Sequence, residues 1–193
     1  MTNSTDKSKI RELYKAQRSA LPAAECREAG KRILKHILKF PTDLPLCLYS
    51  SIQNEVDLQD IQEWALKINR RIYYPRLKGQ KMEFVQITSS DQLLPGKWTK
   101  EPNGDRLLDK DTRAIALIPG LAFTMDGHRL GFGRGYYDNF FCDFPALIRL
   151  GIAYDFQICL SAWVAEAHDQ QMDYSLTPSS IWGGRGLLQQ PLI

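Results

Sequence analysis

The 193 residues are 44% hydrophobic and 24% charged, which suits one well-filled core and leaves little length for a second. No apolar run approaches the roughly 20 residues that span a bilayer, and the opening MTNSTDKSK lacks the apolar centre of a secretory signal. The four cysteines are scattered without a C-x-x-C pair and indicate neither a disulfide framework nor a zinc site. We therefore expect one cytoplasmic domain over residues 1–193, without a membrane partner, and a monomer.

Positive charge is concentrated at the start of the chain. Residues 1–40 carry ten Lys or Arg against four acids, a net charge of +6, whereas the rest of the chain carries −3. Such a concentration indicates an anionic partner. A nucleic-acid-binding module is one interpretation, but aromatic residues that could stack on bases are sparse in this part of the chain. We expect no nucleic-acid partner.

The periodicity of apolar residues predicts alternating helices and strands. Pro22 suits a first helical position, and apolar residues recur at helical spacing over 33–38. In chain order the patterns predict helices at 6–20 and 22–39, a strand at 44–50, a helix at 57–68, strands at 71–75 and 82–87, a long polar surface loop at 88–112, a strand at 114–118, a helix at 137–144 and a strand at 147–154. This order predicts an α/β fold, with a mainly parallel twisted sheet and helices on both faces in a single compact domain.

The segment 129–141, RLGFGRGYYDNFF, has three glycines at alternate positions among arginines and tyrosines. Glycine lets successive backbone N–H groups turn toward phosphate oxygens, and a helix starting after Gly135 would add its dipole. The same spacing also occurs in ordinary tight connections. The segment is not a Walker A loop, because Tyr136 stands where Lys-Ser or Lys-Thr is required, and its spacing departs from the dinucleotide fingerprint. Asp155, at the end of a predicted strand, keeps a nicotinamide-dependent enzyme as an alternative.

A longer stretch around these glycines, ALIPGLAFTMDGHRLGFGRGYYDNF, resembles the signature of the 5-formyltetrahydrofolate cyclo-ligase family. Weaker similarities follow the same order through the chain, in KSKIRELYKAQRSAL, SIQNEVD, YYPRLKGQKMEFVQI, GKWTKEP and EAHDQQMDYSLTP. The resemblance implies an ATP- and Mg²⁺-dependent ring closure. In this chemistry ATP phosphorylates the formyl oxygen of 5-formyltetrahydrofolate, N10 attacks the activated carbon, and 5,10-methenyltetrahydrofolate, ADP and phosphate are released.

The resemblance also implies that the basic N-terminal helices and the glycine segment form an ATP site. Lys7 and Arg11 lie four residues apart on one helical face, with Lys15 continuing the row. Taken alone, such a row is more often a solvated face, and the resemblance reverses that preference. Arg134 and Tyr136 are implied as catalytic. The implied ATP-binding residues are Lys7, Arg11, Arg129, Leu130, Gly131, Phe132, Gly133, Arg134, Gly135, Tyr136 and Tyr137.

The implied folate site overlaps the ATP site, so that one segment would hold both substrates. The implied substrate-binding residues are Ser50, Glu55, Met82, Phe84, Trp98, Phe132, Gly133, Arg134, Gly135 and Tyr136. By themselves these residues allow plainer interpretations: Glu55 as an exposed loop acid, Trp98 as a packing anchor, and the alternating Met82 and Phe84 as ordinary core. Ser50 departs from members that carry an apolar residue there. The implied substrate is 5-formyltetrahydrofolate with or without a polyglutamate tail, and no motif in the sequence selects between the two forms.

Two carboxylates are implied at the metal. Asp138 corresponds to a Mg²⁺-contacting position and Asp169 to a second acid near the metal, and Mg²⁺ prefers such oxygen ligands. Without the resemblance, Asp138 fits a helix cap and Asp169 a salt bridge or a solvated acid. The spacing in HDQQMD does not separate Asp169 from Asp173. A nucleotide-binding sensor without folate activity is a further alternative, which binding of 5-formyltetrahydrofolate would distinguish from the enzyme.

Overall fold

A computed structural model describes residues 6–79, 81–159, 163 and 169–183. In chain order its helices and strands are α1 (Lys7–Ser19), α2 (Ala23–Ile37), β1 (Leu46–Cys47), α3 (Gln59–Lys67), β2 (Ile72–Lys78), β3 (Lys81–Ile87), β4 (Leu93–Pro95), β5 (Lys100–Pro102), β6 (Ile115–Pro119), β7 (Ala122–Thr124), β8 (Arg129–Leu130), α4 (Tyr136–Asp143), β9 (Ile148–Ile152), β10 (Ile158–Cys159), β11 (Tyr174–Leu176) and β12 (Ile181–Gly183). Among the described helices, none has the length and apolar character needed to cross a bilayer.

Seven of the strands form the main sheet, in the order β12-β11-β9-β6-β1-β2-β3. The five inner strands are all parallel to their inner neighbours, whereas the edge strands β3 and β12 run antiparallel to the strands beside them. The predicted α/β fold with a mainly parallel sheet is therefore confirmed. The antiparallel edges are compatible with short connections, such as the turn that joins β2 to β3.

Successive residues of the inner strands point to opposite faces of the sheet and so divide the core in two. Leu46 in β1 packs in the cluster that contains α2 and α3 residues, whereas the next residue, Cys47, packs in the cluster that contains Phe140 and Phe141 of α4. The same alternation separates Ile115 from its neighbour in β6. Strands buried on both faces read as continuous apolar runs, which is why the sequence predicted them at these positions.

Helix α1 packs away from the main sheet, against a small sheet with strand order β10-β7-β8. Ile10 of α1 is buried in a cluster with Ala122, Leu130 and Trp163. Neither the small sheet nor its strands were predicted, because two- and three-residue strands are too short to show a period of two. This sheet fixes α1 beside the glycine segment, which begins in β8.

The prediction of a long surface loop over 88–112 needs correction in its first half, which contains regular structure. A 3-10 turn at Ser90–Gln92 is followed by the hairpin β4–β5, and Ser89 and Gln92 form reciprocal capping hydrogen bonds around the turn. Ser50 and Thr99 tie the hairpin to the segment after β1, because Ser50 Oγ donates to Lys100 O across 2.8 Å and Thr99 Oγ1 donates to Ser50 O across 3.2 Å. The segment 88–112 is polar in part because its hairpin is largely exposed and is held to the segment after β1 by these hydrogen bonds.

The order of the sheet places its switch point between β1 and β6. From β1 the chain continues to β2 on one side, whereas β6 and then β9 and β11 extend the sheet on the other side. In open α/β sheets, ligands bind outside the carboxyl ends of the strands at this point. Ser50 and Glu55 lie in the segment that follows β1, and the glycine segment lies beyond β6, where it begins in β8.

Candidate active site

A cavity of about 640 Å³ lies at the carboxyl ends of β1 and β6. Five parts of the chain line it: α1, the segment after β1, the β2–β3 hairpin, the tip of the β4–β5 hairpin and the glycine segment, together with Asp169. A volume of this size is typical of small-molecule sites. Of the candidate residues from the sequence analysis, those that line the cavity are Lys7, Arg11, Ser50, Glu55, Met82, Trp98, Arg129, Leu130, Gly131, Phe132, Gly133, Arg134, Gly135, Tyr136, Tyr137, Asp138 and Asp169.

The glycine segment adopts a backbone that side chains would disfavour. Gly133 has φ +84°, and Gly135 has φ +67° as the N-cap of α4. Both values lie in the left-handed region, where glycine carries no steric penalty. Arg11 fixes the segment from α1, because its Nε donates to Gly131 O across 2.9 Å. The first turn of α4, whose N–H groups lack intrahelical partners, lies among the residues that line the cavity, an arrangement that favours an anion.

Two ion pairs join the basic and acidic candidates of the cavity. Arg129 Nη2 lies 2.9 Å from Asp138 Oδ2, and Lys7 Nζ lies 3.1 Å from Asp169 Oδ2. The cap interpretation of Asp138 is wrong, because Gly135 caps α4 and Asp138 lies in its first turn. Asp173 does not line the cavity, and its Oδ2 accepts a hydrogen bond from Arg149 N across 2.7 Å. Of the two acids in HDQQMD, Asp169 therefore lines the cavity and Asp173 does not.

Asp138 and Asp169 offer the oxygen donors that Mg²⁺ prefers, on one cavity wall with basic residues suited to phosphate. Across the described ranges, no group of three or more His, Cys, Asp and Glu side chains is arranged to hold a metal ion. Two carboxylates that depend on ligand oxygens to complete the coordination shell fit a metal that arrives with a nucleotide better than a permanently bound one.

Glu55 is buried in the cavity wall, with 5% of its surface exposed, so its interpretation as an exposed loop acid is wrong. Its Oε2 accepts a hydrogen bond from Ile52 N across 3.1 Å, and its Oε1 lies 3.7 Å from Arg18 Nη1. Burial raises the pKa of Glu55 to about 7, while Arg18 and the Ile52 hydrogen bond oppose this rise. The Glu55 carboxyl, with a pKa of about 7, therefore lines the cavity.

Trp98 and Phe84, two aromatic candidates, occupy different environments. Trp98 is 52% exposed at the tip of the β4–β5 hairpin, and the Arg134 guanidinium lies 4.5 Å from the centre of its ring. This cation–π contact joins the hairpin to the glycine segment across the cavity. Phe84, by contrast, is 2% exposed, packs 5.0 Å from the Phe140 ring and does not line the cavity. Met82, two residues earlier on β3, does line it.

Arg18 was not among the site residues predicted from the sequence, and the predicted row of basic residues on α1 continued to Lys15 instead. Lys15 is exposed, whereas Arg18 is 1% exposed and hydrogen-bonds two backbone carbonyls behind the cavity wall. The spacing of Lys7, Arg11 and Arg18, four and then seven residues, follows the 3.6-residue period more closely than a strict step of four.

Asp155 has a structural role, since it accepts hydrogen bonds from Ser179 N and Oγ. The nicotinamide alternative, which required Asp155 as a ribose-binding acid, therefore loses its support.

The fold and cavity together define an α/β protein with a basic, glycine-rich segment and a buried carboxyl in one cavity. The model of the 5-formyltetrahydrofolate cyclo-ligase family matches residues 3–178. A 5-formyltetrahydrofolate cyclo-ligase from Mycoplasma pneumoniae is 33% identical over 87% of this chain and 96% of its own length. One from Mus musculus is 30% identical over 70% of this chain and 75% of its own.

Solved structures agree with the sequence comparisons. A 5,10-methenyltetrahydrofolate synthetase from Aquifex aeolicus superposes with a TM-score of 0.80 at 27% identity, covering 95% of this chain and 96% of the other. A synthetase of the same name from Mycoplasma pneumoniae gives a TM-score of 0.72 at 28% identity, covering 90% and 99%. The chain belongs to the 5-formyltetrahydrofolate cyclo-ligase family, as its glycine segment indicated, and is an enzyme of the ligase class.

Proposed function

We propose that this protein uses ATP and Mg²⁺ to cyclise 5-formyltetrahydrofolate to 5,10-methenyltetrahydrofolate, releasing ADP and phosphate. The observation that carries this proposal is the union, in one cavity, of the glycine segment, two basic side chains of α1 and the buried Glu55. A triphosphate needs the first two, and the donor-rich edge of a reduced pterin suits a carboxyl. Membership of the cyclo-ligase family supports the same reaction.

The proposed route passes through a phosphorylated formyl group. An amide-like formyl oxygen is a poor leaving group, and transfer of the γ-phosphoryl group of ATP to it makes its later departure as phosphate feasible. N10 then attacks the activated carbon and forms the new C–N bond. Because phosphoryl transfer offers the protein little covalent chemistry, its contribution is to align the two substrates and stabilise the charge.

Residues of α1 and of the glycine segment, together with Asp169, divide this work. Lys7, Arg11 and Arg129 are proposed to hold the phosphates, while Arg134 stabilises the charge that develops on the transferred phosphoryl group. Tyr136, the first residue of α4, is proposed to keep the formyl group aligned with the phosphate. Mg²⁺, held by Asp138 and Asp169, would neutralise phosphate charge.

The opposite wall is proposed to hold the folate. Glu55 binds the pterin, and Met82, Trp98 and Phe132 supply apolar surface for the rings, with Ser50 at the rim. Phe84 lies one layer below and supports α4 rather than the substrate. We propose that the chain acts as a single domain and a monomer in the cytoplasm, on folates with or without a polyglutamate tail, and without a nucleic-acid or membrane partner.

The test is a reconstitution with purified protein, 5-formyltetrahydrofolate, ATP and Mg²⁺, followed through the near-ultraviolet absorbance of the methenyl product. Product should form only when all three are present, and ADP should appear in equal amount. Absence of nucleotide-dependent product would reject the proposal. Equilibrium binding of 5-formyltetrahydrofolate separates the remaining possibilities, because a nucleotide sensor without folate activity would bind ATP alone.

A further inference from the structure

Arg18 lies directly behind the cavity wall, at the carboxyl end of α1. It is 1% exposed, and its Nε donates to Gln53 O across 2.9 Å while Nη1 donates to Gly120 O across 3.1 Å. Nη1 also lies 3.7 Å from Glu55 Oε1, and the guanidinium carbon lies 5.4 Å from the centre of the Phe132 ring. One side chain thus contacts the segments that follow β1 and β6 and the glycine segment.

The turn that carries Glu55 needs support, because two of its residues have left-handed backbones. Gln53 has φ +48° and Asn54 has φ +57°, a region that non-glycine residues occupy at a cost. The carboxyl end of α1 holds both of them. Arg18 binds the Gln53 carbonyl, and Asn54 Nδ2 donates to Leu21 O across 2.9 Å. Glu55 is therefore positioned by contacts of its turn with α1 and with the residue after the C-cap of α1.

Helix α1 connects the two ends of the cavity. Lys7 and Arg11 line the cavity beside the glycine segment, whereas Arg18 supports the wall that contains Glu55. At a rise of 1.5 Å per residue, Lys7 and Arg18 are separated by about 16 Å along the helix. A single rigid helix thus carries nucleotide contacts at one end and a folate support at the other.

We propose that Arg18 is a positioning residue for the folate substrate, which fixes the Glu55 carboxyl and the Phe132 ring on the cavity wall without itself lining the cavity. The inference rests on the proposed function, since it takes the cavity to bind a folate. Its physical basis is that a carboxyl in a left-handed turn keeps a single orientation only while the turn is clamped. The Arg18 guanidinium group supplies both the positive charge beside Glu55 and the hydrogen bond that holds the turn at Gln53.

Arg18 also influences the ionisation of Glu55, because it opposes the larger effect of burial on the pKa of that carboxyl. The titratable groups that face Glu55 are Arg18 from α1, Tyr49 after β1, Tyr137 from α4 and Tyr154 after β9. Burial raises the pKa of each tyrosine further above its usual value, so these three remain neutral, and of the four groups Arg18 carries the charge. Because Arg18 lowers the pKa of Glu55 against the effect of burial, its removal leaves the carboxyl protonated to higher pH.

The experiment compares the wild type with Arg18→Met, Arg18→Lys and the control Arg27→Met. Arg27 of α2 forms an ion pair with Asp60 of α3 and does not line the cavity, so its loss removes an arginine–carboxylate pair without touching the cavity wall. For each protein we would measure the Kd of 5-formyltetrahydrofolate and of ATP, together with kcat and KM, over the neutral pH range.

Arg18→Met is expected to weaken folate binding by about tenfold to a hundredfold, as small misplacements in a site can do. The ATP affinity should stay within about twofold, because Lys7 and Arg11 remain. The pH at which folate affinity changes should move upward in Arg18→Met, and Arg18→Lys should restore part of that shift but less of the affinity, since lysine keeps the charge and lacks the planar fork. Arg27→Met should match the wild type throughout.

Two results would overturn the inference: unchanged folate affinity in both Arg18 variants, or an equal loss of folate and ATP affinity, which a general loosening of α1 would produce. Should Arg18→Met not fold, Arg18→Lys together with Asn54→Ala, which removes the second clamp on the same turn, carries the test by the same criteria. A wild-type protein that does not bind 5-formyltetrahydrofolate would instead contradict the proposed function, so the two failures differ.

Discussion

Arg129 and Asp138 form a mostly buried ion pair across 2.9 Å, with 7% and 16% of their side chains exposed. The pair joins a proposed phosphate-binding cation to a proposed metal-binding carboxylate, and Lys7 and Asp169 repeat this relationship nearby. In the proposed reaction a phosphate would compete for the cation and Mg²⁺ would compete for the carboxylate. Since freeing only one member of a buried pair is costly, we expect the nucleotide and the metal to bind together.

Asp138→Asn tests the metal role of this carboxylate. The Mg²⁺ concentration required for half-maximal activity should rise at least about tenfold, because even changes outside the first coordination shell can cost that much in metal affinity. The measurement is a Mg²⁺ titration of turnover and of ATP binding. Asp143→Asn, an exposed acid at the end of the same helix, should leave both titrations unchanged. An unaltered titration in Asp138→Asn would limit Asp138 to pairing with Arg129.

Arg134→Ala tests charge stabilisation at the transferred phosphoryl group. The Arg134 side chain is exposed at the cavity mouth and rests on the Trp98 ring, so its loss should leave the fold intact. We expect kcat to fall by roughly 10² to 10³, the range found when a transition-state donor is removed. Single-turnover kinetics and circular dichroism provide the measurements, and the exposed Arg113→Ala is the control. Near-normal turnover would remove Arg134 from the mechanism.

Gly133→Ala tests whether the left-handed backbone orients the amides. With φ +84° at Gly133, alanine should destabilise the fold by about 1–2 kcal/mol and turn neighbouring N–H groups away from the cavity. The Kd of ATP should rise as a result. Gly79→Ala, at φ +65° in the β2–β3 turn with no atom within 4 Å of the new Cβ, is the matched control. It should lose stability to a similar extent and retain its affinity. Equal affinity in the two variants would contradict the role of the glycine amides.

Glu55 should give the stability of the protein a pH dependence. Its pKa rises from an ordinary 4.5 to about 7 on folding, so between these values the folded chain holds a proton that the unfolded chain has lost. The contribution to the free energy of unfolding is present at low pH and disappears as pH rises through about 7. Glu55→Gln should flatten this slope in denaturant titrations, whereas Glu63→Gln, an exposed glutamate of α3, should not. A slope unchanged in Glu55→Gln would contradict the assignment.

The main sheet could be predicted because its strands are buried on both faces, as the continuous apolar run at 114–118 illustrates. The β4–β5 hairpin and the small sheet could not, because three-residue strands leave no period to read and their partners are distant in sequence. The glycine segment stood out by composition, but its spacing alone fitted a tight connection as well as a phosphate site, and the family resemblance favoured the latter. Its neighbours in space, Lys7 and Glu55, were predicted through family resemblance and not from any local pattern.

Burial was the property least accessible from sequence. Met82 and Phe84 share one face of β3, yet only Met82 reaches the cavity, since the depth of a side chain depends on α4 packing across the sheet. Arg18 was overlooked for the same reason. An arginine in a basic helix is usually solvated, and the carbonyls of Gln53 and Gly120 that bury it lie 35 and 102 residues away in the chain.

The most direct measurement is a crystal structure with a non-hydrolysable ATP analogue, Mg²⁺ and 5-formyltetrahydrofolate bound together. The account predicts the γ-phosphate on the amides of residues 133–137, Asp138 and Asp169 turned from their cations toward the metal, and the pterin against Glu55. A structure in which the nucleotide binds elsewhere, with the Arg129–Asp138 and Lys7–Asp169 pairs unbroken and the glycine amides facing no ligand, would contradict it.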